Sequence, residues 1–390
     1  MKILMIGAAT VFAAPLLAQQ PDSARARQIA DSIALVRELE GRRDDTTRRP
    51  MGAQQQPANP RLLPDVSAVG DLVGDFSPER STQEDGSRFG IREIEIALQA
   101  AVDPYFRGDV FLGFSDAEGV HIEQAFMTAT AVPGVELRIG RFLMPVGKQN
   151  TTHRHDLHTI EYPWVIQRFL GEEGLKGTGL SVSRIFAPLG FYQELLLTAI
   201  DRIGEAPEDL TTEEPVNTDL DGLGFSARLR NYWDLSEAAN LEVSASALTG
   251  RVEQPFDFGS PDVNAIAARQ QLYAADLTFR WRPLQQGLYR SFIAQGEFYR
   301  QRNERNDDPA FGGPNRDFSG AYGFARWQLT RRWYAAARYD WVEDPELAGE
   351  TLTAASGYLQ WFPSEFSKLT AGFGPVMPAA EPISSIPTAW

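Results

Sequence analysis

The chain has 390 residues, 52 acidic against 37 basic side chains, a formal net charge of −15 and no cysteine. The acidic balance argues against nucleic acid as a partner, and the lack of cysteine excludes a disulfide scaffold. No stretch supplies the ~20 successive apolar residues of a membrane-spanning helix.

In chain order, residues 1–18 read as a secretory leader: Lys2 is the charged end, Ile3 to Leu17 the apolar run, and Ala18 a small residue at a cleavage point. Residues 19–60 differ in composition. Ile29, Ile33, Val36 and Leu39 fall roughly at helical spacing, so a short periplasmic helix, a small coiled coil and a disordered leader are all compatible with them. The Gln- and Pro-containing stretch that ends this segment reads as a linker.

Residues 61–374 alternate apolar and polar side chains with period two. Ile94, Ile96, Leu98, Ala100 and Val102 share one parity; Glu93, Glu95, Ala97 and Gln99 share the other. In a strand these sets face opposite sides of the sheet. Fifteen strands are predicted, at 64–75, 88–102, 105–114, 119–131, 135–143, 175–186, 190–201, 219–233, 240–250, 268–282, 290–302, 316–329, 332–342, 351–361 and 367–374. Most are ~10 residues or longer, enough to cross a bilayer when tilted. Tight turns alternate with long connections, and aromatic residues such as Tyr105, Trp233, Trp281, Trp333 and Trp361 gather at strand ends. Length, loop asymmetry and aromatic ends together predict an all-β, antiparallel transmembrane barrel of about sixteen strands, with Ile94, Ile96, Leu98, Val110, Leu112, Leu277 and Phe279 facing lipid. Residues 375–390 carry four prolines and no alternation, so an irregular tail and a defective seam are expected there.

On the polar parity, Arg107, Arg138, Arg280 and Arg338 recur with Asp109 and Glu136, which makes them candidates to line a pore. Arginine suits passing anions, although arginine–carboxylate pairs that merely brace the wall explain the same residues. The longest connection, residues 144–174, holds Lys148, Glu172 and Glu173 and is the candidate constriction. It also holds His153, His155 and His158, three of the four histidines in the chain. Imidazoles at i and i+2 of an extended segment point the same way, with Asp156 and Glu161 near; zinc takes such donors. Histidines bonded to wall carboxylates are the plainer reading. His121 shares the polar parity of its strand with Glu123.

Phe142 to Ser181, with Gly147 and Lys148, the His153-x-His155 pair and the Phe-Leu-Gly-Glu-Glu-Gly-Leu run from Phe169 to Leu175, resembles a family of Gram-negative outer-membrane porins of the phosphate-selective porin-like type. The family also goes by the name of zinc-regulated TonB-dependent outer-membrane receptors. The resemblance spans roughly residues 64–370. It implies a sixteen-strand channel whose loop after the fifth predicted strand folds into the pore, set in outer-membrane lipid by the barrel-assembly machinery, with a homotrimer as one arrangement. There is no room for a plug domain, and no row of uncancelled basic residues that phosphate selectivity would need.

No nucleotide loop, HExxH or G-x-S-x-G motif is present, so enzyme chemistry has no positive sign. The expectation is an outer-membrane channel for passive diffusion of small polar or anionic solutes. It requires no cofactor, with zinc as a candidate ligand. The alternative is a metal-binding receptor or scaffold whose barrel conducts nothing.

Overall fold

The computed structural model of the protein describes residues 4–11, 64–78, 81, 86–115, 119–129, 131–203, 222–255, 265–304, 316–345 and 350–378. The expected helical segment and linker at 19–60 lie outside them.

The strands close into one antiparallel barrel in which each of the sixteen pairs with its sequence neighbours. They are β1 (Leu4–Val11), β2 (Asp65–Asp75), β3 (Phe89–Ala101), β4 (Phe106–Ser115), β5 (Gly119–Ala129), β6 (Val135–Leu143), β7 (Lys176–Phe186) and β8 (Tyr192–Ile200). The second half runs β9 (Gly224–Ser236), β10 (Ala239–Pro255), β11 (Ala265–Trp281), β12 (Phe292–Glu304), β13 (Arg316–Gln328), β14 (Trp333–Asp344), β15 (Glu350–Ser364) and β16 (Ser367–Gly374). The predicted strands correspond to β2 through β16. One short helix, α1 (Trp164–Leu170), sits in the long connection between β6 and β7.

The seam differs from expectation. An open edge in hydrocarbon would leave unpaired backbone groups at several kcal/mol each. Here Leu4–Val11, inside the segment read as a leader, pairs antiparallel with both β16 and β2. The ring is therefore closed rather than defective. Its closing strand comes from the front of the chain, and the strands among the described residues are even in number. After β16, residues 375–378 carry no regular structure, as expected of the tail, and Val376 and Met377 pack against buried residues of the interior; the rest of the tail lies outside the described residues.

Parity sorts the wall as the sequence predicts. Ile94 and Leu277 are exposed on the outside, with Ile96, Leu98, Val110, Leu112 and Phe279 half-covered by their neighbours. Glu93, Glu95, Asp109 and Asp276 are buried within. At the short-turn end, Trp281 stacks on Trp327 at 5.8 Å and Trp333 on Trp361 at 5.8 Å, forming part of an aromatic girdle. An apolar outer face on a closed antiparallel barrel, ringed by aromatics, is the architecture of an outer-membrane β-barrel.

The interior departs from the purely polar lining expected. Ile200, Leu248, Leu272, Tyr299, Phe318, Tyr322, Phe324 and Val342 point inward and are buried with Met144, Val146, Leu157, Trp164, Val165, Ile166 and Phe169 of the long connection. The reason is the connection itself: its apolar side chains enter the barrel and need apolar wall to cover them.

Two of the register shifts among the described strands, on β3 and β5, lie close to the long connection. On β3 the register slips where Asp71 pairs Glu93 and Leu72 pairs Ile91, so Arg92 is the extra residue. On β5 it slips where Phe111 pairs Gln124 and Leu112 pairs Ile122, so Glu123 is extra. A bulge turns adjacent side chains to one face. Glu123 and Gln124 are consequently both buried inside.

Candidate functional site

The connection from β6 to β7 enters the lumen and is tied to the wall on several sides. Its two stems are joined by Asn150, whose Nδ2 donates to the carbonyls of Met144 (2.8 Å) and Leu175 (3.1 Å) and whose Oδ1 accepts from the Leu175 amide at 2.7 Å. Asn150 is fully buried, so each of these bonds replaces one to water.

The first half of the loop is held by Glu297 on β12. Its carboxylate accepts the backbone amides of Lys148 (2.9 Å) and Gln149 (2.7 Å) and the hydroxyls of Tyr299 (2.6 Å) and Tyr322 (2.7 Å). The amides are those of the N-cap and first residue of a 3-10 turn, Gln149–Thr151, whose leading N–H groups suit an anion. Gly147 precedes the turn with a φ of 66°, a left-handed conformation that glycine adopts without penalty. Its amide donates to Ser246 Oγ at 3.0 Å and its carbonyl accepts from Arg228. Lys148 Nζ pairs with Glu242 Oε2 at 2.6 Å, and burial lowers its pKa against that pairing.

The second half is held from the opposite wall. Asp340 accepts the Trp164 amide at 3.1 Å and pairs with Arg338 at 2.7 Å; Arg338 also donates to the Glu161 carbonyl at 2.7 Å. Arg168 pairs with Asp344 at 2.8 Å. Lys368 Nζ donates to the carbonyls of His155 (2.7 Å) and Leu157 (2.9 Å). Helix α1 starts after Pro163 and stops at Gly171, with Trp164, Val165, Ile166, Phe169 and Leu170 buried. A seven-residue helix apolar on most of its surface is stable only when enclosed, as it is here.

The sequence-derived pore residues divide into two groups. Arg107, Asp109, Glu136 and Arg138 come together at the short-turn end. There they line a cavity of about 440 Å³ with Gln99, Phe111 and Phe126. Arg107 pairs with Asp109 at 2.7 Å, Arg138 pairs with Glu136 at 3.1 Å, and Arg138 lies over the Phe126 ring at 4.5 Å. Arg280 stands with Arg230 around Glu242, at 3.1 and 3.3 Å. Arg338 points inward but is covered by the loop, so it is a clamp and does not face an open lumen. Of the loop carboxylates, Glu172 is exposed, and Glu173 pairs with Lys176 at 2.8 Å. That cation, against the opposing effect of burial, holds the Glu173 carboxyl below its usual range.

The three loop histidines do not form one group. His153 and His155 lie together, ring centroids 5.5 Å apart, although a 3-10 turn, Arg154–Asp156, replaces the extended segment assumed from spacing. They face Glu95: His153 Nδ1 is 2.8 Å and His155 Nδ1 3.8 Å from its Oε2, and Glu123 Oε2 is 3.4 Å from His153 Nδ1. His158 is turned elsewhere. Its ring stacks on Phe324 at 6.0 Å and its Nδ1 accepts from Arg326 at 3.0 Å. Burial and the nearby Arg326 charge keep its pKa well below the ordinary value, so the ring is neutral. His158 therefore leaves the predicted metal set, because the intervening Leu157 is buried in the core and rotates the chain past it. Glu95 was visible in the sequence as a lumen residue, but nothing there linked it to a loop 58 positions away. Gln124, shifted inward by its bulge, had no signal at all.

This arrangement defines a class: a membrane β-barrel whose lumen is occupied by an anchored internal loop. No protein-family model matches the chain. It is 29% identical over 308 residues to an uncharacterised protein of Aquifex aeolicus strain VF5, covering 73% of this chain and 63% of that protein. The chain thus spans under two thirds of the length of this relative. Among solved structures it is similar to a loop-deletion form of OmpT, an outer-membrane protein of Vibrio cholerae (10% identity, 80% of this chain and 98% of that one, TM-score 0.48). It is also similar to the outer-membrane channel DcaP of Acinetobacter baumannii (10%, 80% and 97%, 0.38) and to the outer-membrane protein OpdK of Pseudomonas aeruginosa (8%, 96% and 97%, 0.30). At these scores the likenesses add nothing to the chain's own geometry.

Proposed function

We propose that the protein is an outer-membrane channel for passive diffusion of small polar or anionic solutes, with residues 144–174 setting its narrowest point. The observation that carries this reading is the loop fixed across the lumen by wall side chains from β9 to β16. A segment held so firmly narrows a path without closing over a substrate. The cavity flanked by Arg107 and Arg138, each beside a carboxylate, offers a solute water and charge of both signs on the short-turn side. Neither an energy source nor a cofactor enters the mechanism.

Single-channel conductance in a planar bilayer tests the proposal. The folded protein is expected to give discrete steps, and deletion of part of the loop is expected to enlarge them. A barrel that inserts but never conducts would favour the scaffold reading. Steps of unchanged size after the deletion would remove the constriction role.

A further inference from the structure

We infer that Glu95 on β3 and the loop residues His153 and His155 form a binding site for one divalent transition-metal ion, with Glu123 on β5 as the nearest fourth donor. The distances fit. Donors bound tetrahedrally at ~2.0–2.1 Å stand ~3.3–3.4 Å apart. The separations here are 2.8 Å for Glu95 Oε2 to His153 Nδ1, 3.4 Å for Glu123 Oε2 to His153 Nδ1 and 3.8 Å for Glu95 Oε2 to His155 Nδ1. The donors of Glu95, His153 and His155 all lie within 4.8 Å of one another.

A second observation comes from hydrogen bonding. Glu95 Oε2, Glu123 Oε2 and His153 Nδ1 are buried and make no well-directed hydrogen bond. The two glutamate side chains keep only 6% and 8% of their exposure. Two carboxylate oxygens converge on one ring nitrogen, whose single N–H cannot serve both. One cation among them would satisfy all three atoms.

Gln124 stands behind His153. The Leu143 amide donates to its Oε1 at 3.1 Å, which orients the side-chain amide. Its Nε2 lies 2.9 Å from His153 Nε2. A metal at Nδ1 leaves Nε2 as an N–H donor, facing the donor nitrogen of Gln124. Ligation thus requires the Gln124 amide to turn. A glutamate at 124 would accept from both Leu143 and His153, as partners behind metal-bound histidines commonly do.

The test is calorimetric titration of the refolded full-length chain in detergent with zinc chloride at neutral pH. Heat-modifiable migration on gels verifies that each variant is folded. One zinc per chain is expected, with the site lost in the His153→Ala/His155→Ala double variant and in Glu95→Gln. Gln124→Glu is expected to bind on the order of tenfold more tightly. Because Gln124→Glu removes no ligand, it decides the matter even if the others misfold. No zinc binding by the folded wild type, unchanged binding by the double variant, or weaker binding by Gln124→Glu would each overturn the site. Binding does not require conduction, so these outcomes are independent of the channel reading.

Discussion

Gly147→Ala places the largest predicted effect on the smallest change. The residue stands at φ 66°, where an L side chain costs about 1–2 kcal/mol. An added Cβ would also fall within contact distance of the Tyr299 hydroxyl and the Glu297 carboxylate. Both are held among buried neighbours, so the loop is what moves. The bonds lost are those from the Lys148 and Gln149 amides to Glu297, at 2.9 and 2.7 Å. Hydrogen bonds to a charged group contribute about 1.5–3 kcal/mol each, so anchoring at this end weakens by about 4–8 kcal/mol in all. The anchors at Asp340, Asp344 and Lys368 are untouched, so the barrel persists and only the first half of the loop detaches. Limited trypsin digestion in detergent is expected to cut at Lys148 or Arg154 in the variant and not in the wild type, with a parallel rise in single-channel conductance. A variant as protected as the wild type, with the same conductance, would refute the reasoning.

Three further outcomes follow from the same geometry. Because buried His158 stays neutral while the unfolded chain takes up a proton below pH ~6.5, its contribution to stability is complete above that pH. As pH falls below it, that contribution is lost at up to ~1.4 kcal/mol per unit; urea unfolding at pH 7.5 and 5.5 is expected to show a smaller difference in His158→Gln, and equal differences would discount the effect. Leu277→Arg puts a charge on the lipid face and is expected to cost about 2–4 kcal/mol of folding free energy in bilayers, whereas a neutral result would mean that this face is not lipid-exposed. Intact-mass measurement of the membrane-inserted protein is expected to retain residues 4–11 if β1 closes the ring; a mass lacking residues 1–18 would mean that another segment fills the seam.

Most strands were legible because period two survives wherever one face meets lipid and the other the lumen, as at Ile94 and Glu95. Legibility ends where parity is broken. The extra residues Arg92 and Glu123 leave no trace in composition, yet the second of them brings Gln124 against His153. The apolar interior was also hidden, since Leu272 and Phe324 share a parity with charged neighbours and read as exceptions until the loop is seen to cover them. Strand β1 was obscured for a different reason. An apolar run near a charged terminus satisfies the pattern of a leader and that of a strand equally well, and its pairing with β16 and β2 leaves no mark in composition. The metal candidates were half legible: spacing joined His153 to His155, but His158 obeyed the core.

The loop's anchors also set an order of events in folding. Gly147 meets Arg228 across 81 positions, Trp164 meets Asp340 across 176, and His155 meets Lys368 across 213. Contacts so distant along the chain form late, because the intervening segment must be confined first. A nascent barrel therefore passes through a stage in which the wall is made as far as β16 while α1 still waits to dock. At that stage Leu272, Phe318 and Val342 face water across an unfilled lumen. Docking of the loop is then late relative to the pairing of neighbouring strands, and the closure of β1 on β16, which joins residues further apart still, is the other late step.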